Sequence, residues 1–313
     1  MKTCLITGGT GFIGSAITRL MLEKGFRVRI IDDNSRGSFR RLTDVVESLD
    51  IRVGDIRDSS LVASALKGAD LVIHLAYING TINFYERPRE VLDVAILGIQ
   101  NILEGMEFYE VPELYLASSS EVYQTPLVFP TPEDVPLTVP DPFNPRYSYG
   151  LGKIIQEFLS IHAGTFLENL AVFRPHNIYG PDMGFQHVIP EICSNISTAK
   201  GNTFMLKGNG SQTRSFCHIS DFVTGFELIL NTNNAREIFN IGTREEVSIS
   251  HLAHVIATSM GREIRFSTSA PPVGETNRRV PDISKLEHLG FTQTITLESG
   301  VKDYCNWYLS TLS

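Results

Sequence analysis

The chain has 313 residues, 42% of them hydrophobic and 20% charged, and is long enough to bury the core of one or two domains. Its net charge of -8, without clustered lysine and arginine, argues against nucleic-acid binding. No apolar run approaches the roughly 20 residues of a membrane span, and the 4 cysteines lack metal-ligand spacing. We therefore expect a cytoplasmic protein with reduced thiols, no signal peptide, no membrane partner and no metal site.

Short apolar runs alternate with helix-length segments through the first half of the chain. The predicted strands are Thr3–Thr7, Arg27–Ile31, Ile51–Val53, Leu71–Leu75, Glu113–Ser118 and Leu170–Arg174. Apolar residues with helical spacing lie between them, as at Phe12, Ala16 and Leu20. This alternation predicts an α/β fold, a doubly wound parallel sheet of the Rossmann type with helices on both faces.

The sequence changes character near Gly180, where the predicted elements become shorter. Helical spacing recurs over Phe222–Leu230, Ile249–Met260 and Leu297–Leu309. We expect residues 1–180, with contributions from about 215–245, to form the Rossmann domain. Residues 181–313 are then expected to form a smaller C-terminal α/β lobe that holds most of a substrate.

Gly8, Gly11 and Gly14 follow the first strand directly and lead into the first helix. In a dinucleotide-binding loop, the first glycine permits the tight turn, the second lets backbone N–H groups approach a pyrophosphate, and the third lets the helix pack closely on the strand. The helix N-terminus adds partial positive charge. A glycine-rich turn by itself is also compatible with a simple strand-to-helix connection.

Asp32 ends the second strand about 20 residues beyond this loop, where a carboxylate can accept both hydroxyls of a ribose. A carboxylate there repels a 2′-phosphate, which favours NAD over NADP. Arg36 points toward NADP instead, since a guanidinium near this position can bind a 2′-phosphate. Asp55, after the third strand, is placed either to meet the adenine or to stabilise a turn.

Tyr149 and Lys153 stand four residues apart, so they share one face of a predicted helix. A lysine ammonium beside a tyrosine favours the phenolate, which can take a hydroxyl proton near neutral pH. The segment Ser118-Ser119-Ser120-Glu121 closes the fifth strand, and carboxyl ends of parallel strands line the ligand crevice. A hydroxyl there can bind the same substrate oxygen as Tyr149, although a helix cap or turn is the structural alternative.

These signals occur together and in order, and on them the chain resembles the extended short-chain dehydrogenase/reductases, in the NAD-dependent epimerase/dehydratase family that modifies nucleotide sugars. The resemblance covers nearly the whole chain. The segments that carry it are Gly8–Gly14, Asp32–Ser35, Gly54–Ile56, His74–Ala76, Ser118–Tyr123, Tyr149 with Lys153, Arg174–Pro181, Arg214–Asp221 and Arg279–Lys285.

The resemblance implies an enzyme that binds NAD mainly in residues 1–180 and a nucleoside-diphosphate sugar mainly in residues 181–313, and that oxidises the sugar to a 4-keto intermediate. Tyr149 is then the base for the 4-hydroxyl, Lys153 binds the nicotinamide ribose and tunes Tyr149, and Ser119 shares the hydroxyl proton. The implied cofactor-binding residues are Gly8, Gly11, Phe12, Ile13, Gly14, Asp32, Asn34, Ser35, Asp55, Ile56, Leu75, Ala76, Ser118, Tyr149, Lys153 and His176. The implied substrate-binding residues are Ser119, Ser120, Asn177, Arg214 and Arg279.

Residue 121 bears on which reaction comes after the oxidation. Sugar 4-epimerases of this family usually lack a carboxylate there, whereas 4,6-dehydratases and glucuronate decarboxylases carry Glu. By this resemblance Glu121 acts as the C5 base or as an acid toward the leaving group. The pair Ser120-Glu121 departs from the Asp-Glu of dTDP-glucose dehydratases and is more similar to decarboxylases and GDP-mannose dehydratases.

We therefore predict an epimerase or dehydratase, with a decarboxylase of the UDP-glucuronate type as the alternative. A non-enzymatic NAD-sensing Rossmann protein and a simple carbonyl reductase are rival hypotheses from other classes. Three further departures from the family pattern are Gln124 in place of Gly, Ala95 in place of Asn, and His176 in place of Phe. The resemblance also implies a homodimer, with Arg89–Phe108 and Tyr147–Leu167 as interface helices and with apolar residues such as Ile96, Ile99 and Leu103 at the contact or in the monomer core.

Overall fold

The computed structural model of the chain describes residues 1–185, 187–199, 203–206, 208–232, 236–268 and 277–312. The chain divides into two compact units. The first unit comprises Met1–Gln124, Pro136–Arg174 and Phe226–Phe239, and the second comprises Thr125–Val135, Pro175–Gly225 and Asn240–Ser313. Among the described residues, no helix has the length and apolar character needed to cross a membrane.

The strands are β1 (Thr3–Thr7), β2 (Arg27–Asp32), β3 (Leu49–Val53), β4 (Leu71–His74), β5 (Glu113–Ala117), β6 (Asn169–Pro175), β7 (Ile178–Tyr179), β8 (Thr203–Leu206), β9 (Thr213–Ser215), β10 (Cys217–His218), β11 (Arg236–Ile241), β12 (Glu246–Ser248), β13 (Arg265–Thr268) and β14 (Arg278–Arg279). The helices are α1 (Phe12–Glu23), α2 (Ser59–Leu66), α3 (Thr81–Glu86), α4 (Pro88–Phe108), α5 (Ser148–His162), α6 (Val188–Thr198), α7 (Ile219–Leu230), α8 (Ile249–Ser259), α9 (Ser284–His288) and α10 (Leu297–Ser310). Short 3₁₀ turns cover Phe39–Leu42, Val46–Ser48, Ser120–Tyr123 and Pro145–Tyr147.

A seven-stranded sheet of order β3-β2-β1-β4-β5-β6-β11 is the centre of the first unit. Strands β1 to β6 pair in parallel, and helices connect them. The predicted doubly wound Rossmann sheet is therefore confirmed, with strand ends that differ from the prediction by at most two residues, at the start of β3. The strand order reverses between β1 and β4, and in open α/β sheets ligands bind at the carboxyl ends of the strands flanking such a reversal.

The apolar core of the first unit explains why its helices form where they do. All five residues of β1 are buried, as expected for a central parallel strand. Helix α4 begins with Pro88. Proline lacks a backbone N–H, and first-turn N–H groups have no partner within the helix, so no helical hydrogen bond is lost. Its residues Ile99 and Leu103 are buried in this core. They therefore act as core residues of the monomer, while Leu97 and Phe108 on α4 and Phe158 on α5 are exposed.

The second unit consists of small sheets and helices. Strands β12, β9 and β14 form one sheet, β10 pairs with β7, and β13 pairs with β8. Helix α8 starts at Ser248, whose hydroxyl accepts the His251 amide N–H, and α10 starts at Thr296, whose hydroxyl accepts the Ser299 amide N–H. Such side-chain caps satisfy backbone donors that a helix leaves open at its start. Helices α6 and α10 both pack on α8.

A buried ion pair joins α5 to β6 within the first unit. The Arg174 guanidinium donates two hydrogen bonds to the Glu157 carboxylate, at 2.9 and 2.6 Å, and one to the Tyr123 hydroxyl at 2.7 Å. The Ser118 hydroxyl also donates to Glu157. Both charged side chains are only 2% exposed. An isolated charge at this depth is costly to bury, and the bidentate geometry supplies the hydrogen bonds that offset the cost.

We predict that Glu157→Leu lowers the free energy of unfolding by about 3–5 kcal/mol, because it leaves the Arg174 guanidinium buried without its counter-charge. The double variant with Arg174→Met should be more stable than Glu157→Leu alone. The matched control is Glu287→Ala, which breaks a solvent-exposed ion pair with Arg244 and should cost less than about 1 kcal/mol. Urea denaturation measures all three, and equal costs for Glu157→Leu and Glu287→Ala would contradict the interpretation.

Candidate functional site

The glycine loop between β1 and α1 has the backbone of an anion-binding turn. Gly8 has a φ of +74°, and a Cβ on Gly14 would lie 2.0 Å from the Gly8 carbonyl oxygen, so both positions require glycine. A Cβ on Gly8 would lie 2.8 Å from the Ala76 nitrogen, so the loop also packs against the end of β4. Helix α1 begins at Phe12, and Ile13 lies in its first turn. Within the described residues, no side chain caps this turn. Backbone N–H groups are therefore left for a pyrophosphate, and the loop fits the NAD that the sequence predicts.

Asp32 ties the segment after β2 to the glycine loop. Its carboxylate accepts the Thr10 and Asn34 backbone N–H groups, each at 2.9 Å. The Asn34 amide oxygen in turn accepts the Thr10 hydroxyl at 3.1 Å, and Ser35 is held in a turn by Asp33. A carboxylate has about four acceptor positions, so two remain on Asp32 for ribose hydroxyls.

Four residues predicted to contact the cofactor have other partners in this structure. The Asp55 carboxylate accepts the Arg57 backbone N–H at 2.8 Å and its guanidinium at 2.5 and 2.9 Å, so the turn interpretation describes this state. The Ile56 side chain is buried against Gly98 of α4. A Cβ on Gly98 would lie 2.4 Å from the Ile56 Cδ1. The N–H groups of Leu75 and Ala76 both reach the Thr7 hydroxyl at 3.2 Å. These contacts hold the ends of β1 and β4 together.

Tyr149 and Ser119 converge at the carboxyl end of β5. Tyr149 lies in the first turn of α5 and is buried, and its phenol is hydrogen-bonded to the Ser119 hydroxyl. Ser119 also accepts the Glu121 backbone N–H at 3.1 Å, which makes it the cap of the 3₁₀ turn that follows β5. A Cβ on Gly150 would lie 2.9 Å from the Glu121 carbonyl oxygen. The close approach of α5 to this turn therefore places the phenol beside the serine.

Electrostatics at Tyr149 differ from the sequence prediction. Burial raises the pKa of the Tyr149 phenol to about 12; the Ser119 hydrogen bond opposes this shift, the Glu121 charge adds to it, and the Arg36 charge opposes it. Arg36, considered above as a ligand for a 2′-phosphate, thus acts on the Tyr149 phenol in this structure. Two groups that lower the phenol pKa, Ser119 and Arg36, come from segments far from α5 in sequence.

Lys153 is turned toward groups other than the Tyr149 phenol. Its ammonium donates to the Ala117 carbonyl oxygen at 2.6 Å and to the Gln156 amide oxygen at 3.0 Å, and it lies 4.3 Å from the centre of the Tyr77 ring. Burial lowers the pKa of Lys153 to about 7, and the nearby Glu157 charge opposes this shift. The expectation that Lys153 tunes Tyr149 is not what this structure shows, because a buried carbonyl and an amide hold the amine.

Two other residues of the serine segment are buried. The Ser118 hydroxyl donates to Glu157 and its backbone N–H donates to the Phe173 carbonyl oxygen at 2.8 Å. The hydroxyl thus belongs to the buried ion-pair network and the N–H to the sheet, while the cofactor contact of Ser118 stays a prediction. Ser120 is 4% exposed and opens the 3₁₀ turn.

Within the second unit, two of the predicted substrate residues lie on neighbouring strands and a third lies just before β7. Arg214 of β9 pairs in register with Arg279 of β14, which brings two guanidinium-bearing residues side by side. The Asn177 side chain donates to the Ser215 carbonyl oxygen at 2.8 Å. Arg214 and Arg279 suit the two oxygens of a phosphate, whereas the amide nitrogen of Asn177 already braces the backbone.

His176, a predicted cofactor contact, is enclosed by the protein. It is fully buried in the second unit, its Nε2 lies 3.0 Å from the Asn240 side-chain oxygen, and a Cβ on Gly242 would lie 3.0 Å from its own Cβ. The ring is therefore packed against its neighbours, and a role for His176 at the cofactor stays a prediction.

The sequence interpretation missed Tyr77, Gln156 and His74, which contact Lys153 or each other. Gln156 and His74 are fully buried, and polar side chains at full burial usually have a hydrogen-bonding role. A signal was present, since Gln156 lies three residues after Lys153 on the same face of α5. In the part of the chain that the structure describes, no cluster of three or more His, Cys, Asp or Glu side chains could hold a metal ion.

Comparisons with known proteins identify the family. The model of the NAD dependent epimerase/dehydratase family matches residues 4–242. A putative UDP-glucose 4-epimerase of Methanocaldococcus jannaschii is 32% identical, over 97% of both chains. A UDP-N-acetyl-alpha-D-glucosaminuronate decarboxylase of Bacillus cytotoxicus is 30% identical, over 98% of both chains.

A solved structure extends the similarity to the cofactor. The dTDP-glucose 4,6-dehydratase of Streptomyces venezuelae, crystallised with NAD, superposes with a TM-score of 0.87 at 27% identity, over 98% of this chain and 97% of that one. The predicted family, fold and NAD dependence are confirmed, and the non-enzymatic hypothesis is set aside. The chain belongs to the NAD-dependent epimerase/dehydratase family and is an NAD-dependent enzyme of that family.

Proposed function

We propose that the enzyme is a nucleotide-sugar epimerase or dehydratase that works through transient oxidation of the sugar at C4. The observation that carries this proposal is the hydrogen bond between Ser119 and the Tyr149 phenol, with the Glu121 charge in electrostatic reach. A base, a hydroxyl donor and a carboxylate thus meet at the carboxyl end of β5. Relatives named as an epimerase and a 4,6-dehydratase support the reaction class.

The two units divide the binding in this proposal. The first unit holds NAD through the glycine loop, Asp32 and the segment after β4, for which the open first turn of α1 is the main support. The second unit holds the nucleoside diphosphate, for which the adjacent Arg214 and Arg279 are the main support.

In the first step the sugar loses two hydrogens, one from C4 and one from the C4 hydroxyl oxygen. NAD, when bound, supplies the acceptor for the C4 hydride. Tyr149, as the phenolate, takes the proton of the 4-hydroxyl, while Ser119 holds the hydroxyl oxygen through the same hydrogen-bonded pair. The C4–H and O–H bonds break and a C=O bond forms, so the sugar becomes a 4-keto sugar. Tyr149 must lose its proton first, and the Ser119 hydrogen bond and the Arg36 charge both favour that loss.

Glu121 determines the fate of the 4-keto sugar in this proposal. A 4-keto group acidifies the C5–H, so the Glu121 carboxylate can take that proton and give it to the departing C6 hydroxyl, which leaves as water while a C5=C6 bond forms. Return of the hydride to C6 and of a proton to C5 then completes a dehydration. Without this step, return of the hydride to the other face gives a C4 epimer. A decarboxylase is the second candidate, favoured by the Ser120-Glu121 pair and by a decarboxylase relative that is 30% identical.

We also propose a cytoplasmic homodimer. The exposed Leu97 on α4 and Phe158 on α5, two helices that pack against each other, offer apolar surface for a second copy. The four cysteines are free and buried, which suits a reducing compartment.

The proposed reaction class predicts the products of a substrate panel. Incubation of the protein and NAD with UDP-, dTDP-, GDP- and CDP-sugars should convert at least one of them. Mass spectrometry should show loss of water for a dehydratase or no mass change, with a new sugar by chromatography, for an epimerase. Loss of carbon dioxide from a uronate would support the decarboxylase instead, and no conversion anywhere would contradict all three.

We predict that Tyr149→Phe lowers kcat by roughly 10²–10⁴-fold, the usual contribution of a general base, while the affinity for NAD changes little. The matched control is Tyr115→Phe, which removes another buried hydroxyl, one that reaches the Leu230 carbonyl oxygen at 3.2 Å, and should leave kcat near wild type. Single-turnover kinetics and NAD titration measure the two effects. A kcat of Tyr149→Phe equal to that of Tyr115→Phe would remove Tyr149 as the base.

We predict that Glu121→Gln blocks the exchange of solvent deuterium into C5 of the sugar, because the amide cannot accept the proton. The control is Glu113→Gln, at the opposite end of β5, which should exchange at the wild-type rate. NMR of the recovered sugar in deuterated buffer gives both rates. Persistent exchange in Glu121→Gln would show that another group removes the C5 proton.

A further inference from the structure

The Lys153 ammonium occupies a closed socket inside the first unit. It is 2% exposed, and three groups surround it: the Ala117 carbonyl oxygen at 2.6 Å, the Gln156 amide oxygen at 3.0 Å and the Tyr77 ring at 4.3 Å. A carbonyl, an amide oxygen and the face of an aromatic ring all attract positive charge. The backbone carbonyl comes with the strand, so the socket depends on two side chains, Gln156 and Tyr77.

The orientation of Gln156 is set by its partners. Its oxygen faces an ammonium, which can only donate, so its nitrogen faces the other way. That nitrogen lies 3.4 Å from the Ala95 carbonyl oxygen and 3.4 Å from His74 Nε2. Burial lowers the pKa of His74 to about 3, with the Lys153 charge as the second cause, so the ring is neutral and can accept. The amide of Gln156 is thus fixed at both ends, with no water-exposed alternative at 0% exposure.

Tyr77 contacts both members of the Tyr149/Lys153 pair. Its ring meets the Tyr149 ring edge to face, with centroids 5.0 Å apart, and lies under the Lys153 ammonium. Its hydroxyl reaches the Tyr149 carbonyl oxygen at 3.4 Å. The ring fits only because α5 carries Gly152, where a Cβ would lie 2.0 Å from the Tyr77 hydroxyl oxygen. Displacing Tyr77 therefore disturbs both catalytic side chains.

Among the charges around Lys153, the Glu157 carboxylate favours the ammonium, while the other titratable neighbours are neutral. His74 from β4 is neutral, and Tyr77 is protonated because burial raises the pKa of its phenol. On α5 itself, the Tyr149 phenol is protonated at neutral pH and the Glu157 carboxylate is shared with Arg174. The facing residue of α4 is Ala95, and β5 contributes the Ala117 carbonyl. The neutral contacts of the socket therefore add to the attraction of Glu157 in keeping the amine charged.

We propose that Gln156 and Tyr77 are positioning residues that hold the Lys153 amine in its charged form and in one orientation. The proposal rests on the proposed function, in which Lys153 binds the nicotinamide ribose. A charged amine keeps one donor directed at a ribose hydroxyl even when two donors are engaged, because an ammonium has three and a neutral amine only two.

Titration of Lys153 in the full-length protein, by NMR of lysine labelled with ¹³C at Cε, tests the proposal without turnover. The resonance is assigned by its loss in Lys153→Met. The wild-type midpoint is expected at about 7, the pKa that burial gives Lys153. Gln156→Met and Tyr77→Leu should each lower the midpoint by about one pH unit or more, because each removes a group that favours the ammonium. Gln156→Glu should raise it, because a carboxylate then faces the amine.

Two variants distinguish this role from a merely structural one. Tyr77→Phe keeps the ring, so its Lys153 midpoint should equal that of wild type. Ser160→Ala, a buried substitution elsewhere on α5, should also leave the Lys153 midpoint unchanged. Midpoints of Gln156→Met and Tyr77→Leu equal to wild type would overturn the proposal, as would a lowered midpoint in Gln156→Glu. If Tyr77→Leu does not fold, Gly152→Ala displaces the ring instead and should give the same downward shift.

The titration is repeated with saturating NAD, and the order of midpoints should persist. Because the measurement needs no substrate, it separates two failures. Shifted midpoints with no conversion in the sugar panel would leave the socket standing and reject the proposed function. Conversion with unshifted midpoints would support the function and reject the socket.

Discussion

The burial of the inner face of α5 is the constraint on which the site depends. Tyr149, Lys153, Gln156 and Glu157 project from that face and are all at most 7% exposed. Buried polar groups must find partners within the protein, and these four find theirs on separate elements of the first unit. The phenol meets the serine turn after β5, the amine meets the β5 carbonyl, the amide meets α4 and β4, and the carboxylate meets β6. The helix cannot shift along its axis without breaking several of these contacts at once.

The same burial controls the charges of the site. A phenol and an amine taken out of water both move toward their neutral forms, which raises the pKa of Tyr149 and lowers that of Lys153. Catalysis by a phenolate therefore needs positive charge or hydrogen bonding supplied from outside α5. In this structure Ser119 and Arg36 supply it, from the ends of β5 and β2, which places the acid–base properties of Tyr149 under the control of the segments that line the cofactor side of the sheet.

Much of the fold and the outline of the site could be predicted from the sequence, because their signals are local. The glycines of the first turn and the four-residue spacing of Tyr149 and Lys153 act within one turn of chain. The contacts that modify these residues are not local: Gln156 and His74 are 82 positions apart, and Ser118 and Glu157 are 39 apart. A motif therefore predicted that Lys153 faces the tyrosine, while tertiary contacts directed its amine to Ala117 and Gln156. For the same reason the partners of Ser118 and His176 could not be predicted, since only the packing shows that their polar atoms are engaged.

The interlocking of Tyr77 with Gly152 has a consequence for how this site can evolve. The phenol oxygen fills the space that any larger residue at position 152 needs, so a side chain can be gained there only if volume is given up at position 77. Substitutions at the two positions should consequently be epistatic, each harmful alone and tolerated as a compensating pair. Sizes at these two sites are then expected to covary inversely among relatives, and laboratory redesign at either position has to treat both as one unit.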